Sequence, residues 1–147
     1  MKYIFLITFL FPTFSFAQSD VETKIELIAK FKVEAELTLK STPYRQVEHE
    51  KIKDYFIGLR DFSLELKENS RLNKRFNSYL SKNNLAIFCS DLLLNSKVLE
   101  EIISNCTRNR FFLCAEEVKE YSAFKQGLAA SLNQELLEEF NNTSECK

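Results

Sequence analysis

The stretch NCTRNRFFLC, residues 105–114, contains two cysteines on either side of a basic and aromatic turn. Apolar residues recur at helical spacing both before and after it, so the turn joins two helices. When two such helices pack antiparallel, residues equally far from the centre of the turn face each other, and Cys106 and Cys114 meet this condition. We therefore predict that a Cys106–Cys114 disulfide closes a helical hairpin.

Four cysteines allow three ways of forming two disulfides. A continuous helix from residue 84 to the turn would separate Cys89 and Cys106 by roughly 25 Å. A disulfide needs Cα atoms within about 7 Å, so we exclude this pair and predict Cys89–Cys146, formed if the C-terminal residues fold back. The chain contains no CxxC spacing, which disfavours a zinc site and a thiol redox motif. We predict no metal and no cofactor.

The N-terminal sequence MKYIFLITFLFPTFSFAQSD has the three parts of a secretory signal peptide. Lys2 supplies the positive charge, residues 3–11 are apolar, and the small residues Ser15 and Ala17 precede the cleavage site. The alternative is an uncleaved anchor, but this apolar run is short for a bilayer span. We predict that residues 1–17 are removed and that the protein is secreted or periplasmic, without stable membrane insertion.

The remaining residues, 18–147, are enough for one domain with its own core. Loss of Lys2 with the signal peptide changes the formal net charge from −1 to −2. Because nucleic-acid binding needs a concentrated basic surface, we expect no nucleic-acid partner. The whole chain has only 2 glycines and 2 prolines, which leaves few β-turns and predicts an all-α fold.

The apolar periodicity predicts a single-domain bundle of about five helices, stapled by the two disulfides. Ser70 is the expected cap of the third helix, and Ser96 is a position where the fourth could break and be capped again. Gly58 should let a neighbouring helix come close without ending the second helix, whereas Gly127 could bend the last one. The predicted helices cover about 19–40, 43–67, 70–82, 84–105 and 109–140, with a polar tail from about residue 141.

The turn between the two cysteines is the first candidate for a partner contact. It places arginines beside aromatic rings, a combination that is enriched in binding hot spots. A disulfide beneath the turn would hold it rigid and lower the ordering cost of binding. The alternative is that the two phenylalanines close the end of the bundle. The candidate residues are Arg108, Arg110, Phe111 and Phe112.

No catalytic constellation is evident in the sequence. His49 is the only histidine, and the positions three and four residues away hold no good metal ligand. Two groups of glutamates could in principle hydrolyse a glycoside, but they fall on polar helix faces where solvated charge is the simpler interpretation. These glutamates are Glu116, Glu117, Glu120, Glu135, Glu138 and Glu139.

The third predicted helix has a basic face. It could meet an acidic partner, pair with the glutamate-rich face of the last helix, or simply be solvated. The four residues are Arg71, Lys74, Arg75 and Lys82.

These patterns favour an exported helical protein that binds a macromolecule, a protein of the same compartment, without catalysis. Inhibitors, immunity proteins and envelope accessory proteins are of this type. The alternative is a helical carrier of a lipid or another apolar ligand, since the phenylalanines could line an internal cavity. A glutamate-based hydrolase is the third hypothesis, and it would require two inward-facing carboxylates.

Overall fold

The computed structural model describes residues 20–40, 46–108 and 112–147, with side chains for 20–39, 50–104 and 120–147. All regular structure within these ranges is helical, which confirms the predicted all-α class. The predicted signal peptide, residues 1–17, lies outside the described residues. None of the described helices is both long enough and apolar enough to cross a bilayer.

The first three predicted helices agree with the structure to within a few residues, whereas the fourth and fifth predicted segments each divide in two. The elements are α1 (Asp20–Lys40), α2 (Gln46–Glu68), α3 (Ser70–Lys82), α4 (Leu85–Leu92), α5 (Ser96–Arg108), α6 (Phe112–Ala130), α7 (Gln134–Asn142) and a terminal 3-10 turn (Ser144–Cys146). Helix α2 packs against both α1 and α6, and α6 also packs against α5.

Asparagines cap four of these helices. The Asn69 side chain accepts from the amides of Arg71 and Leu72 at 3.1 and 3.0 Å, so Asn69 is the cap of α3 and the prediction of Ser70 was wrong by one residue. Asn84, Asn95 and Asn133 accept from first-turn amides of α4, α5 and α7 in the same way. An asparagine oxygen satisfies an amide that the first turn of a helix leaves unpaired.

The fourth predicted segment is interrupted between Leu92 and Ser96. This is close to Ser96, where the sequence allowed a break and a new cap. Two tyrosine hydroxyls hold this connection in the core. Tyr55 donates to the Leu92 carbonyl at 2.7 Å, and Tyr121 accepts from the Leu94 amide at 2.9 Å. Both rings are buried, and burial is the main cause that raises the pKa of each hydroxyl, so both stay protonated.

The last predicted helix also breaks, although not at Gly127, and the expectation of one helix over 109–140 was wrong. Helix α6 runs through Gly127 to Ala130, and a corner at 131–133 precedes α7. Two asparagines of α3 hold the corner. Asn73 and Asn77 donate to the Ser131 carbonyl at 2.9 and 2.8 Å, and the Asn77 oxygen accepts from the Asn133 amide at 2.7 Å.

Edge-on aromatic contacts join several helices within a largely aliphatic core. The rings of Phe62, Phe76 and Phe88 form a chain of edge-on contacts across α2, α3 and α4, with centroids 5.5 and 5.6 Å apart. Phe56 meets Tyr121 of α6 in the same way at 5.9 Å. Such edge-to-face pairs are favoured by the ring quadrupoles and stabilise the fold beyond their buried area.

The chain end is fastened to α4. Cys89 and Cys146 form a disulfide with their Cα atoms 5.0 Å apart, and both cysteines are buried. This is a pair that the sequence predicted. One premise of that prediction was wrong, because the helix assumed to separate Cys89 from Cys106 is not continuous. The side chains of Cys106 and Cys114 lie outside the described residues.

The predicted polar tail is more ordered than its composition suggested. Helix α7 continues to Asn142, beyond the predicted end of the last helix, and residues 144–146 form the 3-10 turn that carries Cys146. Backbone hydrogen bonds from Thr143, Cys146 and Lys147 continue through this segment. The chain end therefore covers α4 as part of the core.

Candidate binding groove

The predicted partner-binding turn lies largely outside the described residues. The side chains of Arg108, Arg110, Phe111 and Phe112 lie outside the described residues, as do those of His49, Glu116 and Glu117. The remaining glutamates of the hydrolase hypothesis are all exposed: Glu120, Glu135, Glu138 and Glu139. Within the described side chains, no three histidine, cysteine or acidic residues come close enough together to hold a metal ion.

A groove of about 770 Å³ lies between the second half of α2, the start of α3 and the second half of α6. We call it the binding groove. Its described lining consists of Arg60, Ser63, Leu64, Leu66, Lys67, Ser70, Asn73, Lys74, Ala123, Phe124, Gln126, Gly127, Ala130 and Ser131.

The helical repeat explains why these residues share one surface. On α2, positions 60, 63, 64 and 67 follow a spacing of three and four, and on α6 so do positions 123, 124, 127 and 130–131. The α6 wall is built largely from small residues. A side chain at Gly127 would begin 2.7 Å from the Ser63 hydroxyl, so the glycine lets α6 approach α2 closely.

The floor of the groove contains a buried polar atom. Ser63 is 8 % exposed and lines the groove beneath Gly127. Its hydroxyl makes no hydrogen bond to any residue that the structure describes, although buried hydroxyls usually have a partner. The same floor offers apolar surface from Phe124 and from Leu64, which is 47 % exposed.

The rim of the groove is basic. Arg60, Lys67 and Lys74 line it, and none of the described lining residues is acidic. Arg60 makes a 2.9 Å ion pair with the neighbouring Asp61. This pair joins exposed groups, so it contributes little to the stability of the fold.

The basic charge continues along α3 beyond the groove. The basic stripe consists of Arg71, Lys74, Arg75 and Lys82, which follow one face of α3 and are all exposed. None of the four forms an ion pair with a described residue. The idea that this face pairs with the glutamates of the last helix is therefore not supported for Glu135, Glu138 and Glu139.

A second concavity extends the groove at the corner between α6 and α7. It has a volume of about 380 Å³ and shares Asn73, Lys74, Ala130 and Ser131 with the binding groove. Asn77 and Asn133 complete its polar wall. The groove and its extension thus form one surface, apolar and basic along most of its length and rich in amide groups at one end.

The chain matches no protein-family model, and no curated protein or solved structure shows significant similarity to it. Its function has to be inferred from its own residues. Of the residues that line the groove, the sequence indicated a partner contact only for Lys74, as part of the basic face of α3. Arg60 and Lys67 were missed because nothing local marks them, and their relation to α6 arises only when α2 and α6 pack together.

Proposed function

We propose that the protein is exported and binds a macromolecular partner, a protein of the same compartment, without catalysing a reaction. Inhibitors, immunity proteins and envelope accessory proteins act in this way. The binding groove is the observation that carries the proposal, since it combines apolar surface with a basic rim. Exposed apolar surface with a polar rim is typical of interaction sites.

Two links between distant parts of the described structure support this role. The Cys89–Cys146 disulfide fastens the chain end, and hydrogen bonds from α3 hold the corner at one end of the groove. We also propose that residues 18–147 form one domain, and that a Cys106–Cys114 disulfide stiffens the turn before α6. A surface that is ordered before binding loses less entropy when its partner docks.

Export is proposed on two grounds. The N-terminal sequence has the pattern of a signal peptide, and a buried disulfide is compatible with an oxidising compartment. A carrier of a lipid remains the alternative proposal. It would need to enclose most of its ligand, whereas the binding groove is partly open to solvent. For this reason a protein partner is the better-supported occupant.

Photo-crosslinking in the producing cells tests the proposal. A benzophenone amino acid replaces Gln126, which is exposed and lines the groove, or Glu100, an exposed residue of α5 that serves as the control. We expect the Gln126 variant to form a discrete adduct with one protein, identified by mass spectrometry, and the Glu100 variant to form none. Absence of an adduct at both positions would contradict the proposal. A lipid recovered from the purified native protein would favour the carrier.

A further inference from the structure

We propose that the partner docks an acidic amphipathic helix into the binding groove, with its apolar face on the groove floor and its carboxylates toward Lys74, which lines the groove, and the neighbouring cations of the basic stripe. This inference rests on the proposed function and specifies the chemistry of the partner. Three properties of the surface support it: the distribution of charge, the shape of the floor and the exposed polar residue between the cations of the stripe.

The charge distribution favours an anionic partner. Arg71, Lys74, Arg75 and Lys82 lie within three turns of one helix, so their charges extend over about 16 Å of α3. A helix has the same rise per residue, so a partner helix with carboxylates every three or four residues would match this row. None of the described residues that line the groove carries a competing negative charge.

The floor of the groove favours a partner with an apolar, convex surface. Leu64 is half exposed, and Ala130 and the largely buried Phe124 line the same concavity. An amphipathic helix presents an apolar ridge to such a groove, and its anchors repeat every three or four residues. The unpartnered Ser63 hydroxyl adds one polar group at the base of the floor, where a single hydrogen bond would help to fix the register.

A membrane surface fits this face less well than a protein helix does. A bilayer is flat, while the groove is concave. An interfacial helix also inserts apolar side chains beside its cations. Between the cations of the basic stripe the exposed residue is Ser78, and the neighbouring Tyr79 ring is partly buried.

Selection from a displayed library of random peptides on the mature, disulfide-bonded protein tests the inference. We expect the enriched peptides to be rich in Asp and Glu, with apolar residues at helical spacing, and their affinity to fall steeply as salt is raised. Synthetic copies are then measured against Arg71→Glu/Lys74→Glu, which should weaken binding at least about tenfold. Lys30→Glu/Lys97→Glu is the matched control, because it changes the net charge equally on exposed positions of α1 and α5, and it should bind as the wild type does.

Three outcomes would overturn the inference: no enriched peptide, enriched peptides without an acidic excess, or equal weakening by the two double variants. Binding of the protein to phosphatidylglycerol vesicles is measured in parallel. If the protein binds them and the Arg71→Glu/Lys74→Glu variant does not, while no peptide binds, an anionic lipid is the occupant. Circular dichroism of each variant separates misfolding from loss of binding. Failure here leaves the crosslinking result for the proposed function unaffected, so the two hypotheses can fail separately.

Discussion

At the scale of single residues, the two glycines illustrate how packing decides the role of one residue type. Both lie inside helices, where glycine is less favourable than alanine by about 1 kcal/mol. A Cβ at Gly58 would lie 3.5 Å from Ile28 and Phe31 of α1, which is ordinary contact, whereas one at Gly127 would lie 2.7 Å from the Ser63 hydroxyl. Gly127 therefore lets α6 and α2 approach closely. At Gly58 an alanine would also fit between α2 and α1.

We expect Gly58→Ala to raise the free energy of unfolding by up to about 1 kcal/mol, because the new methyl group fits against α1. Gly127→Ala should instead lower it by about 1 kcal/mol, since Ser63 has to move. Urea unfolding measures both. Ser63→Ala/Gly127→Ala is the control that removes the clash, and it should be at least as stable as Ser63→Ala alone. Equal stabilisation by the two glycine replacements would contradict this account.

The Tyr55 hydroxyl is a second case in which one atom matters. It is fully buried and donates to the Leu92 carbonyl, so Tyr55→Phe leaves that carbonyl without this partner. We expect a loss of about 1–3 kcal/mol in the free energy of unfolding, measured by urea. Tyr79→Phe is the matched control, because the Tyr79 ring is only partly buried and its hydroxyl makes no hydrogen bond to a described residue. A loss as large in the control would show that the hydrogen bond is not the cause.

At the scale of elements, the division of long helical patterns into shorter helices depends on side chains from other helices. Asn77 of α3 contacts the corner between α6 and α7 in two ways, as donor to the Ser131 carbonyl and as acceptor from the Asn133 amide. The corner also terminates the binding groove. Its geometry thus links the placement of α7 to the shape of the candidate site.

We expect Asn77→Ala to lower the free energy of unfolding by about 1–3 kcal/mol, because the Asn133 amide loses its partner and the Ser131 carbonyl keeps only its bond from Asn73. Amide hydrogen exchange should show the largest loss of protection in residues 134–142. Asn142→Ala is the control, since its side chain donates only to the Glu138 carbonyl of its own helix. Uniform loss of protection across the described helices would indicate that the corner is not a separate unit.

At the scale of the whole molecule, the Cys89–Cys146 disulfide joins residues 57 apart in sequence. We expect Cys89→Ser/Cys146→Ser to lower the free energy of unfolding by roughly 2–5 kcal/mol, because a cross-link restricts the unfolded chain. Cys106→Ser/Cys114→Ser tests the other predicted pair and should cost less, since it closes a much shorter loop. Peptide mapping without reduction identifies the pairs, and a free thiol at Cys106 or Cys114 would refute the second one.

Processing of the N-terminus is a prediction that concerns the whole chain. The protein recovered from the medium or the periplasm should begin at Gln18, as measured by intact mass and N-terminal peptide mapping. Ala17→Leu places a large residue where cleavage needs a small one and should retain the leader. Recovery of the wild-type chain with residues 1–17 still attached would refute the signal peptide.

Much of the fold was predictable because helical periodicity is a local property. The ends of α1, α2 and α3 were placed to within a few residues, and Gly58 was correctly kept inside α2. The candidate site was far less predictable. Lys74 was recognised as part of a basic face, but the groove needs α2 and α6 to pack, and their residues are about sixty positions apart in the sequence.

By itself, the amino-acid sequence determined the all-α class and the course of the first three helices, because spacing and caps act over a few residues. Only the tertiary structure decided where the later helices break. The apolar phase continues through Leu92 and Leu99, and through Leu128 and Leu136, so periodicity does not end those helices. At Ser96 the sequence allowed a break without requiring one. The breaks depend on hydrogen bonds from Tyr55 and Asn73, across sequence separations of 37 and 58 residues. Such contacts exist only once the helices have packed together.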